Sequence, residues 1–128
     1  MNLLLDTHSF LWFVTNDAKL SATAGNAIRD PANEVFVSPA SYWEIAIKVG
    51  AGRYRINGPF EEFWNAGIYL NDFHILPITP LHAAVLSSLP LHHKDPFDRM
   101  LVAQATVDDA AIVSVDKAID AYVVSRVW

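Results

Sequence analysis

The sequence predicts an α/β protein in which a central parallel sheet lies between two layers of helices, a three-layer α/β/α arrangement. Short, almost wholly apolar runs alternate with segments of helical periodicity, which is the order of right-handed crossovers between parallel strands. The runs contain few polar residues, as expected of strands covered on both faces. Helix N-cap residues follow several of these runs directly. At 128 residues the chain has the length of one ordinary domain, so we expect residues 1–128 to form a single domain.

The first part of the chain contains two predicted strands and three predicted helices. The apolar run Asn2 to Leu5 is the first strand, and Asp6-Thr7 opens a helix through Val14. A short helix over residues 21–29 precedes the second strand, Glu34 to Val37. Ser38-Pro39 has the N-cap and first-turn chemistry of a helix that runs to about Val49. We expect this third helix to be mostly buried, because most of its residues are apolar.

The remainder of the chain repeats the pattern after a glycine-rich break at residues 50–52. Asn57-Gly58-Pro59 begins a helix through Tyr69, and Thr79-Pro80 and Asp95-Pro96 carry further cap signals. The elements predicted from these signals are helix 59–69, strand 73–78, helix 81–89, helix 96–109 and strand 111–115. The tail at 123–127 has the pattern of an edge strand but is too short for a prediction.

Composition limits the function classes. The chain has no cysteine, so disulfides, thiolate metal sites and cysteine catalysis are excluded, and a metal would need oxygen or imidazole ligands. No apolar run approaches the roughly 20 residues of a membrane helix, and no export signal is visible, so we expect a cytoplasmic protein without membrane contact. The formal charge of −5 argues against binding a polyanion unless cations neutralise some carboxylates.

Acidic residues occur where the predicted sheet would bring them together. Asp6 and Asp116 directly follow the first and last predicted strands, and ligand sites of open parallel sheets lie at these carboxyl ends. Glu44 lies in the helix after the second strand, and Asp98 lies in the first turn of the helix that Asp95 opens. We therefore expect four carboxylates at one edge of the sheet.

Four clustered carboxylates repel one another unless a cation lies among them. We therefore expect that Asp116→Asn does not lower the stability of the metal-free protein. Mg²⁺ and Mn²⁺ prefer oxygen ligands, and such ions activate water and stabilise the leaving oxygen of a phosphodiester. The cluster therefore indicates a metal-dependent nuclease.

Four segments that carry these acids resemble the motifs of PIN domains, and VapC-type toxins above all. They are Leu4-Leu5-Asp6-Thr7-His8, residues 41–48 (SYWEIAIK), residues 95–104 (DPFDRMLVAQ) and Val113-Ser114-Val115-Asp116. The resemblance implies a PIN-like fold with Asp6, Glu44, Asp98 and Asp116 as catalytic ligands of Mg²⁺ or Mn²⁺. It places Asp95 just outside that set. Ser114 stands where many relatives have Thr or Asn, in a position to orient water or metal.

The same resemblance implies an activity and partners. The protein would be an endoribonuclease that uses metal-activated water and leaves 5′-phosphate and 3′-hydroxyl ends. It would form a homodimer, and a small VapB-type antitoxin would fill its active groove. Basic residues that would contact RNA phosphates are Lys48, Lys94 and Arg99 beside the acids and the Arg53-Tyr54-Arg55 segment.

Some of these residues also have ordinary structural interpretations. Asp6 would cap the following helix, and Glu44 would pair with Lys48 one turn later. His92-His93 beside Asp95 suggests zinc, but adjacent histidines cannot share a helix face and no third soft ligand has a suitable spacing.

Two alternative functions stay open. A Mg²⁺-dependent phosphatase of the haloacid-dehalogenase type would use an aspartyl nucleophile after the first strand, but it also needs an acid two residues later, where this chain has His8. A catalytically silent PIN-like module that binds RNA or protein is the second alternative, and the intact set of acids argues against it.

Overall fold

Five parallel strands form one sheet in the computed structural model, which describes residues 1–128. In chain order they are β1 (Asn2–Leu5), β2 (Glu34–Val37), β3 (His74–Ile75), β4 (Ala111–Val113) and β5 (Arg126–Val127). The spatial order is β3-β2-β1-β4-β5. The helices are α1 (Thr7–Val14), α2 (Ala22–Arg29), α3 (Pro39–Gly50), α4 (Phe60–Tyr69), α5 (Pro80–Ser87) and α6 (Pro96–Asp108), with a 3-10 helix at Lys117–Ala121. None of the helices is long and apolar enough to cross a membrane.

The central strand β1 divides the core into two parts. Leu3 and Leu5 point to one face of the sheet, where they pack with residues of α1, α2 and α4 such as Phe10 and Trp64. Leu4 points to the other face and packs with residues of α6 such as Leu101. All three leucines are fully buried. The predicted three-layer α/β/α architecture is confirmed.

The edge strands differ from the prediction. β3 has two residues where strand 73–78 is predicted, because Pro77 lacks an N–H and the Gln104 side chain donates to the Leu76 carbonyl at 2.9 Å. β4 ends at Val113, where the chain begins to turn toward the 3-10 helix. The tail does form a strand, β5, which pairs in parallel with β4.

The surface of α3 also differs from the prediction. We expect this helix to be mostly buried, but Tyr42, Trp43 and Ile47 are 41%, 61% and 49% exposed. Ile45, in contrast, is fully buried, so α3 has one core face and one exposed apolar face. The Trp43 ring meets Phe97 of α6 edge to face, with 5.3 Å between ring centroids. The position of Trp43 is therefore fixed although most of its surface is open.

Candidate metal centre

Asp6 is held where β1 and β4 end. Its backbone N–H donates to the Val113 carbonyl at 3.1 Å, which continues the pairing of the two strands. One carboxylate oxygen accepts from the backbone N–H of Ser9 at 2.8 Å, so Asp6 caps α1 as one interpretation of the sequence expects. Asp6 is only 4% exposed. Burial raises the pKa of its carboxyl, although hydrogen bonds from Ser114 and Ser9 oppose this effect.

Glu44 lies in the second turn of α3 and is buried. Its Oε1 accepts from the Thr7 hydroxyl at 2.6 Å, and Thr7 is the residue after Asp6. Its Oε2 forms an ion pair with Lys48 at 2.9 Å. The Glu44–Lys48 pair expected from the i,i+4 spacing is therefore present. The contact with Thr7 also ties the carboxylate to the start of α1.

Asp98 and Asp116 share a histidine that the sequence did not identify as a site residue. His93 Nε2 lies 2.6 Å from Asp116 Oδ2 and 3.2 Å from Asp98 Oδ2. One ligand atom from each of these three residues lies within 4.8 Å of the other two. His93, Asp98 and Asp116 therefore form a compact set with the donor atoms of a metal site.

The pKa of Asp98 shows that the other acids lie nearby. Burial, together with the negative charges of Asp95, Asp6 and Glu44, raises this pKa to about 7, while His93 opposes the increase. Asp6 and Glu44 are outside the compact set, yet both act on Asp98. A buried carboxyl surrounded by like charges is the electrostatic setting that a divalent cation relieves.

Asp116 has the opposite electrostatic setting. Partial burial raises its pKa, but hydrogen bonds from the Ala118 backbone N–H and the His93 ring, together with the nearby Arg126 guanidinium, outweigh this effect. The pKa of Asp116 is therefore lowered, and its charged form is stabilised without a metal.

The raised pKa of Asp98 makes the free energy of unfolding of the metal-free protein depend on pH. The folded-state pKa of about 7 lies above the ordinary value of 3.8, so the folded protein binds the extra proton between these two pH values. We expect the contribution of Asp98 to the free energy of unfolding to be complete below pH 4 and lost as the pH rises through 7. Urea unfolding in EDTA at pH 4 to 8 would measure this. Asp98→Asn should remove that part of the decline, and parallel curves for the two proteins would contradict the expectation.

Asp95 and Ser114 lie beside the four acids. Asp95 caps α6 by accepting from the backbone N–H groups of Phe97 and Asp98 at 2.8 and 3.1 Å. The fully buried Ser114 hydroxyl accepts from the backbone N–H of Asp116 at 3.0 Å and lowers the pKa of Asp6. Ser114 therefore links Asp6 to Asp116, and Asp95 holds the backbone of Asp98.

The basic residues divide into three groups. Lys48 lies in the site through its pair with Glu44. Arg99 donates to the carbonyls of Leu89 and Pro90 at 3.2 and 2.9 Å, so its guanidinium holds the loop before α6. The exposed residues are Lys94, in that same loop, and Arg53 and Arg55, which follow α3. The end of α3, which precedes Arg53 and Arg55, is about 9 Å from Glu44 along the helix axis.

Three residues of this region were missed by sequence reasoning: Thr7, His93 and Tyr122. The Tyr122 hydroxyl accepts from the backbone N–H groups of His92 and His93 at 3.1 and 2.9 Å. The histidine pair beside Asp95 was a usable signal. The argument that adjacent histidines cannot share a helix face does not apply to His93, because His93 lies in a loop.

Comparisons with known proteins identify the fold and the family. The structure is similar to chains of VapBC2 from Rickettsia felis bound to a promoter DNA fragment (TM-score 0.70, 13% identity, 98% of this chain and 97% of the other). It is also similar to chains of VapBC-1 from nontypeable Haemophilus influenzae (TM-score 0.61, 16% identity, 98% of this chain and 96% of the other). A third similar structure is FitAcB from Neisseria gonorrhoeae (TM-score 0.57, 18% identity, 97% of this chain and 95% of the other). No curated protein matches the sequence. The family model for the PIN domain matches residues 3–124. The chain therefore belongs to the PIN-domain family.

Proposed function

We propose that this protein is a metal-dependent endoribonuclease and the toxin of a type II toxin–antitoxin module, with residues 1–128 forming a single PIN domain. The observation that carries the proposal is the convergence of Asp6, Glu44, Asp98 and Asp116 at the carboxyl end of the sheet. Two of them, Asp6 and Asp98, have raised pKa values. Buried acids in this state are poised to bind a cation, and family membership supports nuclease chemistry.

The residues present fit Mg²⁺ or Mn²⁺. The four carboxylates offer oxygen ligands, which these hard ions prefer over sulfur and nitrogen. Asp98 and Asp116 would hold the ion with Asp6, and Glu44 would complete the set from α3. The bound ion would supply activated water and stabilise the leaving oxygen of the phosphodiester. Asp95 and Ser114 would act indirectly, since each hydrogen-bonds to the backbone of a proposed ligand.

The substrate would approach across the basic residues around the site. Lys48 and Lys94 would contact phosphates near the acids, and Arg53 and Arg55 would contact the strand farther along α3. Arg99 would act by holding the loop that carries Lys94, because its guanidinium is already bonded there. Exposed basic side chains beside a cation-loaded site would offset the formal charge of −5.

The structural neighbours and the surface support the proposed partners. The similar structures are VapBC and FitAB-type complexes, which supports a VapB-type antitoxin as the partner of this protein. We propose that the antitoxin inhibits by placing a basic side chain among the acids. The exposed apolar face of α3, formed by Tyr42, Trp43 and Ile47, supports a homodimer. A cytoplasmic location would suit an enzyme that acts on RNA.

The proposal is tested by the products of RNA cleavage. The purified protein with Mn²⁺ is incubated with end-labelled single-stranded RNA, and the new ends are identified by phosphatase and ligase treatment. We expect internal cuts with 5′-phosphate and 3′-hydroxyl ends, and no cuts in EDTA. A phosphoaspartate on the protein would favour the phosphatase alternative. Binding of RNA without cleavage under any divalent ion would favour the silent module.

A further inference from the structure

We propose that His93 is a positioning residue of the metal centre and not one of its ligands: its Nε2–H donates to the carboxylate of Asp116, beside Asp98, and holds that carboxylate for the ion. This inference rests on the proposed metal-dependent function. The closeness of His93 to Asp98 and Asp116 would otherwise suggest that His93 coordinates the ion directly.

The two ring nitrogens of His93 have partners of opposite kinds. Nδ1 accepts from the backbone N–H of Asp95 at 3.0 Å. A ring nitrogen that accepts a hydrogen bond carries no proton, so the neutral ring has its proton on Nε2. Nε2 is hydrogen-bonded to Asp116 Oδ2 at 2.6 Å and lies 3.2 Å from Asp98 Oδ2. A charged carboxylate has no proton to donate, so the proton of the bond to Asp116 belongs to Nε2. The ring is therefore oriented as a donor to Asp116, with Asp98 close by.

The partner of Nδ1 also argues against direct coordination. An imidazole that binds a metal through Nε2 carries its proton on Nδ1 and donates it to a carboxylate, a carbonyl or water. In this structure Nδ1 faces an N–H group, so a proton on Nδ1 would oppose another donor. Coordination through Nε2 would require the start of α6 to rearrange, because Asp95 is the N-cap of that helix.

The fold holds the histidine in this position. The backbone N–H groups of His92 and His93 both donate to the Tyr122 hydroxyl, and Tyr122 is 7% exposed. Arg99 reaches the same hydroxyl at 3.2 Å and the Pro90 carbonyl at 2.9 Å. The loop is thus fixed from two sides, and His93 does not depend on the carboxylates for its place.

The effect of this donor is clearest for Asp116. Its Oδ1 accepts from the Ala118 backbone N–H at 3.0 Å, and its Oδ2 accepts from His93. A carboxylate held at both oxygens cannot rotate, and each oxygen keeps a lone pair for an ion. Loss of a group that orients a metal ligand typically weakens metal binding about 10- to 100-fold.

Spectroscopy on the intact protein tests the role directly. Histidine ¹⁵N chemical shifts, assigned with His93→Gln, report which ring nitrogen carries the proton. We expect Nε2 of His93 to stay protonated when Mg²⁺ is bound, and the Mn²⁺ protein to show no electron-spin-echo signal of a directly coordinated nitrogen. Transfer of the proton to Nδ1 on Mg²⁺ binding, or such a nitrogen signal, would overturn the inference while leaving the proposed nuclease intact.

Mn²⁺ affinity, measured by calorimetry without RNA, provides the second readout. We expect His93→Ala to weaken binding about 10- to 100-fold and His93→Gln, which keeps an N–H donor, to retain most of the affinity. His92→Gln is the matched control, because the His92 side chain makes no hydrogen bond, and it should bind as the wild type does. Melting curves of each variant establish that it folds. Wild-type affinity in His93→Ala would overturn the inference, and a wild type that binds neither Mn²⁺ nor Mg²⁺ would overturn the proposed function as well.

Discussion

Asp98→Asn is expected to reduce RNA cleavage about a thousandfold while leaving the fold intact. The start of α6 does not depend on the Asp98 side chain, because the cap is the Asp95 carboxylate. A bound ion contributes several kcal/mol of charge stabilisation in the transition state, and losing about 4 kcal/mol slows a reaction about a thousandfold. Initial rates on labelled RNA at saturating Mn²⁺ would measure the effect. Asp6→Asn should behave similarly.

A matched control for Asp98→Asn is Asp72→Asn. Asp72 is exposed, and its backbone φ of 57° lies in the left-handed region that Asn also tolerates. The variant loses the same charge at a position outside the acidic cluster, so it should cleave RNA at the wild-type rate. Cleavage by Asp98→Asn at a rate near that of the control would contradict the assigned site.

Mg²⁺ or Mn²⁺ is expected to raise the melting temperature by several degrees. An ion that binds only the folded arrangement of carboxylates stabilises it by about 2.7 kcal/mol when present at about a hundred times its dissociation constant. Asp116→Asn should lose most of this gain, because it removes a carboxylate from the compact set. Scanning calorimetry with EDTA and with metal measures both values. Equal metal responses of wild type and Asp116→Asn would exclude this metal site.

The structure reverses the sequence-based expectation for the metal-free form of Asp116→Asn. Repulsion among four acids predicts no loss of stability, but the pKa of Asp116 is lowered by the Ala118 N–H and the His93 ring despite partial burial. A lowered folded-state pKa means that the charge stabilises the fold above the unfolded pKa, and that this stability is lost as pH falls. Asp116→Asn should therefore be less stable than the wild type at neutral pH. Asp98→Asn, in contrast, should relieve repulsion in the metal-free protein at neutral pH, because neighbouring negative charges raise the pKa of Asp98.

The elements that the sequence predicted well are those with local causes. Asp6, Ser38, Thr79 and Asp95 are N-caps in the structure, because capping depends on residues within one turn of the cap. The buried run of β1 was equally clear. Because the carboxyl ends of parallel strands share one edge of a sheet, the sequence alone predicts that Asp6 and Asp116 lie at the same edge.

The elements that the sequence did not predict depend on contacts between distant residues. β3 is short because Gln104, in α6, binds the chain that follows it. β5 exists because β4 offers a partner to a segment with little intrinsic signal. The position of His93 depends on the Tyr122 hydroxyl, which comes from a residue 29 positions later in the chain. Periodicity and capping carry no information about such loop anchors.

The pairing of β1 with β4 has a consequence for synthesis. Leu3 pairs with Ala111, and Asp6 is bonded to Val113, so the ribosome makes the two strands far apart in time. At roughly 5 to 20 residues per second, β4 and Asp116 follow β1 by about 5 to 20 seconds. A nascent chain that lacks β4 has an incomplete acidic cluster. For the proposed nuclease, activity would have to wait until β4 and Asp116 are made and have paired with β1.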